Sequence, residues 1–161
     1  MAHPKEERSL IIFKPDAIQR GIVGEIMHRF ERKGLKVRGL KMAEVEDITL
    51  QDHYKHIADK PFFADLKKFM QNSPVVLMVL SGINAVAAIR LIVGPTAAHE
   101  ADAGSIRGDF AMSIQSNVVH ASETTEAAEE EIARFFGDEE VFDYDKIDAQ
   151  MVYSDTYAGR D

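Results

Sequence analysis

Strand-like and helix-like segments alternate along the whole of this chain, and that alternation constrains its fold more than any single motif. The clearest strand is the continuous apolar run at 74–80, a pattern typical of a strand buried in the middle of a sheet. Between 22 and 33, Ile22, Ile26 and Phe30 recur at helical spacing, and Gly34 follows as a stop signal. Both kinds of element therefore belong to one folded unit.

The same patterns place the remaining elements. Residues 94–110 read as a long loop that has room for one short helical turn. The order is βαβ, then extra helices, then βαβ and a final helix, which predicts an α+β protein with a ferredoxin-like α/β sandwich, an antiparallel four-stranded sheet with helices packed on it. We expect strands at 9–13, 36–45, 74–80 and 118–119, and helices at 22–33, 53–57 (a short turn), 62–70, 84–92 (capped by Asn84) and 125–136.

Composition sets the class of protein. The chain has 161 residues, 45% of them hydrophobic, so a single domain over 1–161 can bury a full core. No cysteine is present, which excludes disulfides and zinc–thiolate sites. The formal net charge of −8 disfavours binding to nucleic acid or to an anionic membrane. Since the N-terminus has no apolar signal region and no apolar run is long enough to cross a bilayer, we expect a cytoplasmic protein.

His120 is the best candidate for a reactive side chain. It directly follows the short apolar run 118–119 and precedes the polar start of the last predicted helix, a position where phosphates are readily bound. A neutral imidazole there can act as a nucleophile toward a phosphoryl group. The other histidines have simpler interpretations as terminal, loop or solvated helix residues; these are His3, His28, His53, His56 and His99.

Cationic and hydroxyl side chains occur where they can face the same space. Arg90 precedes the long loop, Thr96 lies in it and Arg107 near its end, and two guanidiniums with a hydroxyl suit phosphate oxygens. Lys14 ends the first strand, on the edge where His120 is expected. Surface ion pairs for the arginines and an ordinary turn at Lys14 remain the alternative interpretations.

An aromatic pair opens the helix predicted at 62–70. One ring can stack on a nucleotide base, a contact worth about 1–3 kcal/mol that does not depend on base identity. The alternative is that both rings belong to the core, and this is our interpretation of Phe63.

Glycine-rich phosphate loops are absent from the sequence. The segment 21–24 lacks the Gly-Lys-Ser/Thr of a P-loop, no Gly-x-Gly-x-x-Gly follows a strand, and the protein-kinase motifs are missing. Side chains would therefore have to hold the phosphates.

Several motifs together closely resemble the nucleoside diphosphate kinase family. They are Phe-Lys-Pro-Asp at 13–16, Lys-Pro-Phe-Phe at 60–63, Arg90, Thr96, Ser-Ile-Arg-Gly-Asp-Phe at 105–110 and Asn-Val-Val-His-Ala-Ser at 117–122. The resemblance extends from Leu10 to about Tyr153. It implies ping-pong transfer of the γ-phosphoryl group from a nucleoside triphosphate such as ATP to a nucleoside diphosphate, through a phosphohistidine on His120.

Roles for individual residues follow from the resemblance. Glu131 would bind the second ring nitrogen of His120, and Ser122 would support that carboxylate. The base would lie between Phe62 and Ile114. Lys14 and Asn117 would contact the ribose, and the phosphates would be bound by Lys14, Tyr54, Arg90, Thr96 and Arg107.

The resemblance also implies cofactors and partners. Mg²⁺ would arrive with the nucleotide and be held mainly by its phosphates, with no protein metal ligand. We expect a homo-oligomer, a hexamer before a tetramer or dimer, with a short N-terminal extension at 1–8 and a C-terminal extension at 138–161 that packs on neighbouring subunits.

Two other classes of function stay open. A catalytically impaired regulatory paralogue could keep the nucleotide pocket, although the intact His120, Glu131, Lys14 and Arg107 speak against it. An RNA-binding module would need exposed sheet aromatics and positive charge, and the sequence offers neither.

Overall fold

A computed structural model describes residues 3–154 and contains the predicted antiparallel sheet of four strands, in the order β2-β3-β1-β4. The strands are β1 (Glu6–Phe13), β2 (Lys36–Ala43), β3 (Val75–Ile83) and β4 (Val119–Ala121). The helices are α1 (Pro15–Gln19), α2 (Val23–Arg32), α3 (Asp47–His53), α4 (Phe63–Met70), α5 (Ala85–Val93), α6 (Ile106–Phe110), α7 (Thr125–Phe135) and α8 (Ala149–Val152). None of the helices in this part of the chain is both long and apolar enough to span a bilayer.

The register of the sheet places His120 on an edge strand. β1 pairs with β3 along its full length, from Glu6 opposite Ile83 to Phe13 opposite Val76. On its other side β1 pairs with the three residues of β4, and Ile12 lies opposite His120. His120 is thus anchored by a central strand and lies close to the chain reversal that begins after Phe13.

Helices cover both faces of the sheet because side chains of a strand alternate between the faces. One face carries Ile11, Phe13, Met78 and Leu80, which pack against buried residues of α2 and α5 such as Phe30 and Ile89. The opposite face carries Leu10, Ile12, Leu77 and Val79, which pack against α3, α4 and α7 through residues such as Leu50, Met70 and Ile132. The predicted ferredoxin-like sandwich is confirmed.

Some predicted boundaries were wrong. β1 starts at Glu6, three residues before the predicted start and inside the segment 1–8 assigned to an N-terminal extension. Only His53 of the helical turn predicted at 53–57 lies in a helix, which starts at Asp47 and ends at His53; residues 54–57 form turns. The helix α1 was not predicted, although Pro15 at its first turn is a known start signal.

The start of α5 also differs from the prediction. Asn84 precedes the helix, but its side chain makes no capping hydrogen bond. Its backbone instead has φ 53°, the left-handed conformation that asparagine tolerates better than most residues. Asn84 therefore acts through its backbone conformation at the turn from β3 into α5.

The C-terminal segment from 138 onward packs along β2 of the same chain. The amide of Phe142 donates to the carbonyl of Arg38 at 2.8 Å, and the hydroxyl of Tyr144 donates to the carbonyl of Val37 at 2.7 Å. Residues 155–161 of the predicted C-terminal extension lie outside the described residues. Packing of this extension on a neighbouring subunit stays a prediction.

Candidate active site

His120 is held by a short network of hydrogen bonds that joins β4 to α7 and β1. Its Nε2 lies 2.9 Å from Oε2 of Glu131, and the hydroxyl of Ser122 donates to the same oxygen at 2.7 Å. The hydroxyl oxygen of Ser122 also accepts from the amide of Leu10 at 3.0 Å. Ser122 is fully buried, so the sheet fixes the position of the carboxylate that orients His120.

This network selects one nitrogen of His120 as the nucleophile. An ionised carboxylate can only accept hydrogen bonds, so Nε2 of His120 must carry the proton that Glu131 binds. The lone pair of the neutral ring is then on Nδ1. Burial raises the pKa of Glu131, but the hydrogen bond and charge of His120, with the hydrogen bond of Ser122, lower it below its ordinary value. Glu131 therefore remains a carboxylate at neutral pH.

Three cationic side chains surround the strand that carries His120. Arg107 is 3% exposed and donates to the carbonyls of Gly94 at 2.9 Å, Val119 at 2.7 Å and Asn117 at 3.3 Å. Arg90, on α5, donates to the carbonyl of Ala121 at 3.3 Å. Both guanidiniums thus bind backbone next to the nucleophile, which fixes them close to it.

Lys14 completes this group of cations. It is 7% exposed, and its Nζ donates to Oδ1 of Asn117 at 2.7 Å. Burial and the nearby charge of Arg107 lower the pKa of Lys14 to about 8, and Asp16 partly opposes them. Burial and the charge of Arg90 lower the pKa of Arg107 to about 10.

Little negative charge from the described residues acts on the group of Lys14, Arg90 and Arg107, and the charge of Asp16 only partly offsets that of Lys14. Within 3–154, none of the three forms an ion pair with a carboxylate. Cations that are gathered and repel one another are stabilised when a bound anion neutralises them. The alternative interpretation of the two arginines as members of surface ion pairs is therefore wrong.

Asn117 links the cations to the long loop. While its Oδ1 accepts from Lys14, its Nδ2 donates to the carbonyl of Thr96 at 3.1 Å. Asn117 is 1% exposed, whereas Thr96 is exposed. Asn117 therefore connects the loop that contains Thr96 to Lys14 at the end of β1.

The backbone just before His120 is strained. Val118 has φ 66°, a conformation that β-branched residues rarely adopt. Three hydrogen bonds hold it there: the amide of Val119 donates to the carbonyl of Asn117 at 2.9 Å, the amide of Lys14 donates to the carbonyl of Val118 at 2.9 Å, and the amide of Val118 donates to Oδ2 of Asp16 at 3.0 Å. Strain held in this way is typical of functional sites. The role of Asp16 was not foreseen from the sequence.

His53 is the main residue that the sequence interpretation missed. We expected a solvated helix face, but His53 is 7% exposed and its ring meets that of His120 at 4.8 Å between centroids, with an interplanar angle of 77°. Burial and the charges of His120 and Arg134 lower the pKa of His53 to about 3, against an opposing effect of Glu131. No spacing signal could have found this contact, because 67 positions separate the two histidines.

Tyr54 packs beside His53, with ring centroids 4.7 Å apart. Burial, aided by the charge of Glu131, raises the pKa of Tyr54 to about 12, so its hydroxyl stays protonated and can donate. By contrast, Phe62 and Ile114 are 51% and 60% exposed. Within 3–154 neither shares a hydrogen bond or ring contact with the cluster around His120, whereas Phe63 is 8% exposed and belongs to the core as predicted.

One group of side chains in 3–154 has the composition of a metal site: His53, His120 and Glu131, whose ligand atoms lie within 4.8 Å of one another. These atoms already have partners, since His120 binds Glu131 and Nδ1 of His53 lies 3.2 Å from Nη1 of Arg134. A single carboxylate beside two imidazoles also suits Mg²⁺ poorly, because Mg²⁺ prefers oxygen ligands.

Comparison with known proteins agrees with this geometry. A family model described as nucleoside diphosphate kinase matches residues 7–141. The nucleoside diphosphate kinase of Parabacteroides distasonis is 44% identical over 148 residues, which cover 92% of this chain and 97% of that protein. Human nucleoside diphosphate kinase A is 43% identical over 147 residues, covering 91% and 97%.

A solved structure gives the same result. The halophilic nucleoside diphosphate kinase from Halobacterium salinarum, determined in complex with CDP, superimposes with a TM-score of 0.89 at 40% identity and covers 92% of this chain and 99% of that one. Fold, sequence and the arrangement around His120 thus point to one group of enzymes. The chain belongs to the nucleoside diphosphate kinase family and is a phosphotransferase.

Proposed function

We propose that this enzyme transfers the γ-phosphoryl group of a nucleoside triphosphate to a nucleoside diphosphate in two steps, through a phosphohistidine on Nδ1 of His120. The observation that supports this proposal best is the 2.9 Å contact between Nε2 of His120 and Glu131, which leaves the Nδ1 lone pair available. In the first step Nδ1 bonds to the γ-phosphorus, and the bond from phosphorus to the β–γ bridging oxygen breaks. The nucleoside diphosphate leaves, and a second diphosphate reverses the same bond changes.

Glu131 serves both steps by holding the proton of Nε2. The imidazole becomes positively charged as Nδ1 bonds to phosphorus, and the adjacent carboxylate stabilises that charge without taking the proton. Ser122 keeps the carboxylate in place through its 2.7 Å hydrogen bond. This role needs no movement of the protein, since the network is already formed.

Lys14, Arg90 and Arg107 supply the positive charge that phosphoryl transfer requires. The transition state spreads negative charge over the equatorial oxygens, so catalysis depends mainly on positioning and electrostatics. Arg107 is fixed by three carbonyls and Lys14 by Asn117, so both are preorganised for the phosphates. The hydroxyls of Thr96 and Tyr54 would add neutral donors.

The nucleoside would be bound with little regard to its base. Phe62 and Ile114 are exposed and can take the two faces of a base, a contact that does not read base edges. Lys14 and Asn117 would reach the ribose hydroxyls from the floor of the site. The substrates would then be ATP, GTP, CTP, UTP, their deoxy forms and the corresponding diphosphates.

The divalent metal is proposed to be Mg²⁺, bound by nucleotide phosphates rather than by protein ligands. A site that has three cations and a carboxylate already paired with His120 fits an ion that arrives with its own oxygen ligands. When bound, Mg²⁺ neutralises part of the phosphate charge. Assembly into a homo-oligomer, a hexamer first, and a cytoplasmic location remain predictions from the sequence.

The alternative of a catalytically impaired regulatory paralogue gains no support from the site. The residues that such a paralogue would lose, His120 and Glu131, are present and in hydrogen-bond contact. We therefore propose an active enzyme.

Labelling tests this proposal. Purified protein is incubated with γ-labelled ATP and Mg²⁺, and unlabelled GDP or CDP is then added. We expect acid-labile, alkali-stable label on the protein that moves to the added diphosphate. His120→Ala should carry no label, whereas His56→Ala, which changes an exposed histidine close in sequence to His53, should behave as wild type.

Two outcomes of the labelling experiment would contradict the proposal. No label on wild-type protein that binds nucleotide would overturn the catalytic proposal and favour the regulatory alternative. Label that persists in His120→Ala would show that another residue is the nucleophile.

A further inference from the structure

Arg134 is joined to the reactive histidine through His53, a route that the reaction described above does not use. Arg134 lies on α7, three residues after Glu131, and its Nε forms an ion pair with the carboxylate of Asp52. Its Nη1 lies 3.2 Å from Nδ1 of His53. The guanidinium is therefore held from one side by Asp52 and faces a buried imidazole on the other.

This contact determines where the proton of His53 is. A guanidinium has only donors, so Nδ1 of His53 must accept and the neutral ring must carry its proton on Nε2. The ring cannot easily turn over, because it packs edge-on against Tyr54, His120 and Phe135 at centroid distances of 4.7, 4.8 and 5.3 Å. Arg134 thus fixes both the orientation and the tautomer of His53.

The charge state of His53 matters because Glu131 is within reach of both histidines. A ring nitrogen of His53, one of His120 and a carboxylate oxygen of Glu131 all lie within 4.8 Å of one another. An imidazolium at position 53 would compete with His120 for this carboxylate. The other charged or titratable groups around His53 are Asp52, Tyr54, His56 and Arg134. Burial and then the charge of His120 contribute most to keeping the ring neutral, and Arg134 adds to them and is the group that contacts Nδ1.

We propose that Arg134 is a positioning residue for phosphoryl transfer: by donating to Nδ1 of His53 it holds the ring that packs against His120 in one orientation and one tautomer, so that Glu131 is left to His120. The inference rests on the proposed role of His120. It also explains why a buried histidine can lie against the nucleophile without disturbing it. The low pKa of His53 is consistent with this arrangement.

The first test compares Arg134→Leu with Arg134→Lys, wild type and a matched control. The control is Arg8→Leu, which removes an arginine paired with Glu129 on the same helix but does not touch His53. Single-turnover formation of acid-labile phosphoprotein is measured against ATP concentration between pH 5.5 and 8.5. Thermal unfolding of each variant shows whether it is folded.

For Arg134→Leu we expect a maximal rate about tenfold lower and an unchanged ATP concentration for half-maximal rate. The reason is that the ring of His53 is then no longer fixed against His120 and can compete with it for Glu131. Arg134→Lys, which keeps a donor and a charge, should recover most of the rate, and Arg8→Leu should match wild type. A rate and pH profile of Arg134→Leu that equal those of wild type would overturn the proposal. A variant whose only change is the ATP concentration for half-maximal rate would overturn the proposal as well.

A second measurement does not depend on activity. In protein with ¹⁵N-labelled histidine, two-bond ¹H–¹⁵N spectra report which ring nitrogen carries the proton. We expect Nδ1 of His53 to be unprotonated from pH 5.5 to 8.5 in wild type, and to carry the ring proton in part of the molecules in Arg134→Leu, where its donor is lost. A proton on Nδ1 in wild type would refute the tautomer assignment. Absence of label on wild-type His120, with the expected spectra, would instead refute the catalytic role while leaving the tautomer assignment intact.

Discussion

Raising the pH from 7 to 9 should weaken nucleotide binding by removing the proton of Lys14. The lysine is 7% exposed, and burial together with the charge of Arg107 brings its pKa from the ordinary 10.5 to about 8. If the phosphates bind the protonated amine, the fraction of competent protein falls about tenfold between pH 7 and pH 9. Nucleotide affinity should fall by the same factor, and binding should be accompanied by proton uptake near pH 8.

The lowered pKa of Lys14 has the opposite effect on folding stability, which should increase as the pH rises. The unfolded chain keeps its proton up to about 10.5, whereas the folded chain loses it near 8, so between these values the unfolded state binds more protons. Folding stability contributed by Lys14 is therefore lowest below pH 8 and increases as the pH rises toward 10.5, by about 3 kcal/mol in total. Bound nucleotide should reduce this gain because it favours the charged amine.

Calorimetric titration with ADP and Mg²⁺ at pH 7, 8 and 9 measures the effect on binding. Lys14→Met should bind ADP more weakly at pH 7 and should show no loss between pH 7 and 9. Lys36→Met is the matched control, because Lys36 is a partly buried lysine paired with Glu6 away from His120. Equal affinity of wild type at pH 7 and 9, or the same pH dependence in Lys14→Met, would refute the assignment of this titration to Lys14.

Three substitutions test the network around the nucleophile. Glu131→Gln removes the charge that stabilises the imidazolium of His120 and should lower the rate of phosphorylation about tenfold or more with little change in ATP affinity, as single-turnover kinetics would show; an unaltered rate would contradict this role. Ser122→Ala leaves the buried amide of Leu10 without its partner and should cost about 1–3 kcal/mol in denaturant unfolding, a cost that a Ser122→Thr variant should partly avoid. Arg107 reaches three carbonyls from three separate nitrogens, whereas the lysine of Arg107→Lys has all its donors on one nitrogen, so this variant should lose both stability and phosphate affinity. A loss of affinity alone would mean that these bonds do not hold the fold.

The fold was largely predictable because its main signals are local. The apolar run at 74–80, the helical spacing before Gly34 and the acidic start of α7 each specify one element, and all three elements are found. Errors occurred where the structure depends on contacts distant in sequence or on very short elements. The missed helix α1 has five residues, too few for a clear period, whereas α6, of the same length, lies in the loop where one short helical turn was expected.

Some residues of the candidate site could likewise be predicted from local sequence signals, and others could not. Lys14 stood out at the end of the first strand, Arg107 near the end of the long loop and Asn117 in a motif of the resembled family, and the structure brings them together. His53 and Arg134 gave no such signal, because their partners are 67 and 81 positions away along the chain. Asp16 was visible only as part of a turn, although it holds the strained Val118. Contacts between distant residues, rather than residue types, were the information that the sequence lacked.

The proposed mechanism requires that the phosphoryl group bonds to Nδ1 of His120 while Glu131 holds Nε2. The most direct test is ³¹P–¹⁵N correlation on phosphorylated protein with ¹⁵N-labelled histidine, which identifies the ring nitrogen attached to phosphorus. The geometry predicts phosphorus on Nδ1 of His120 and a proton on Nε2. Phosphorus on Nε2, or on any other residue, would contradict the account.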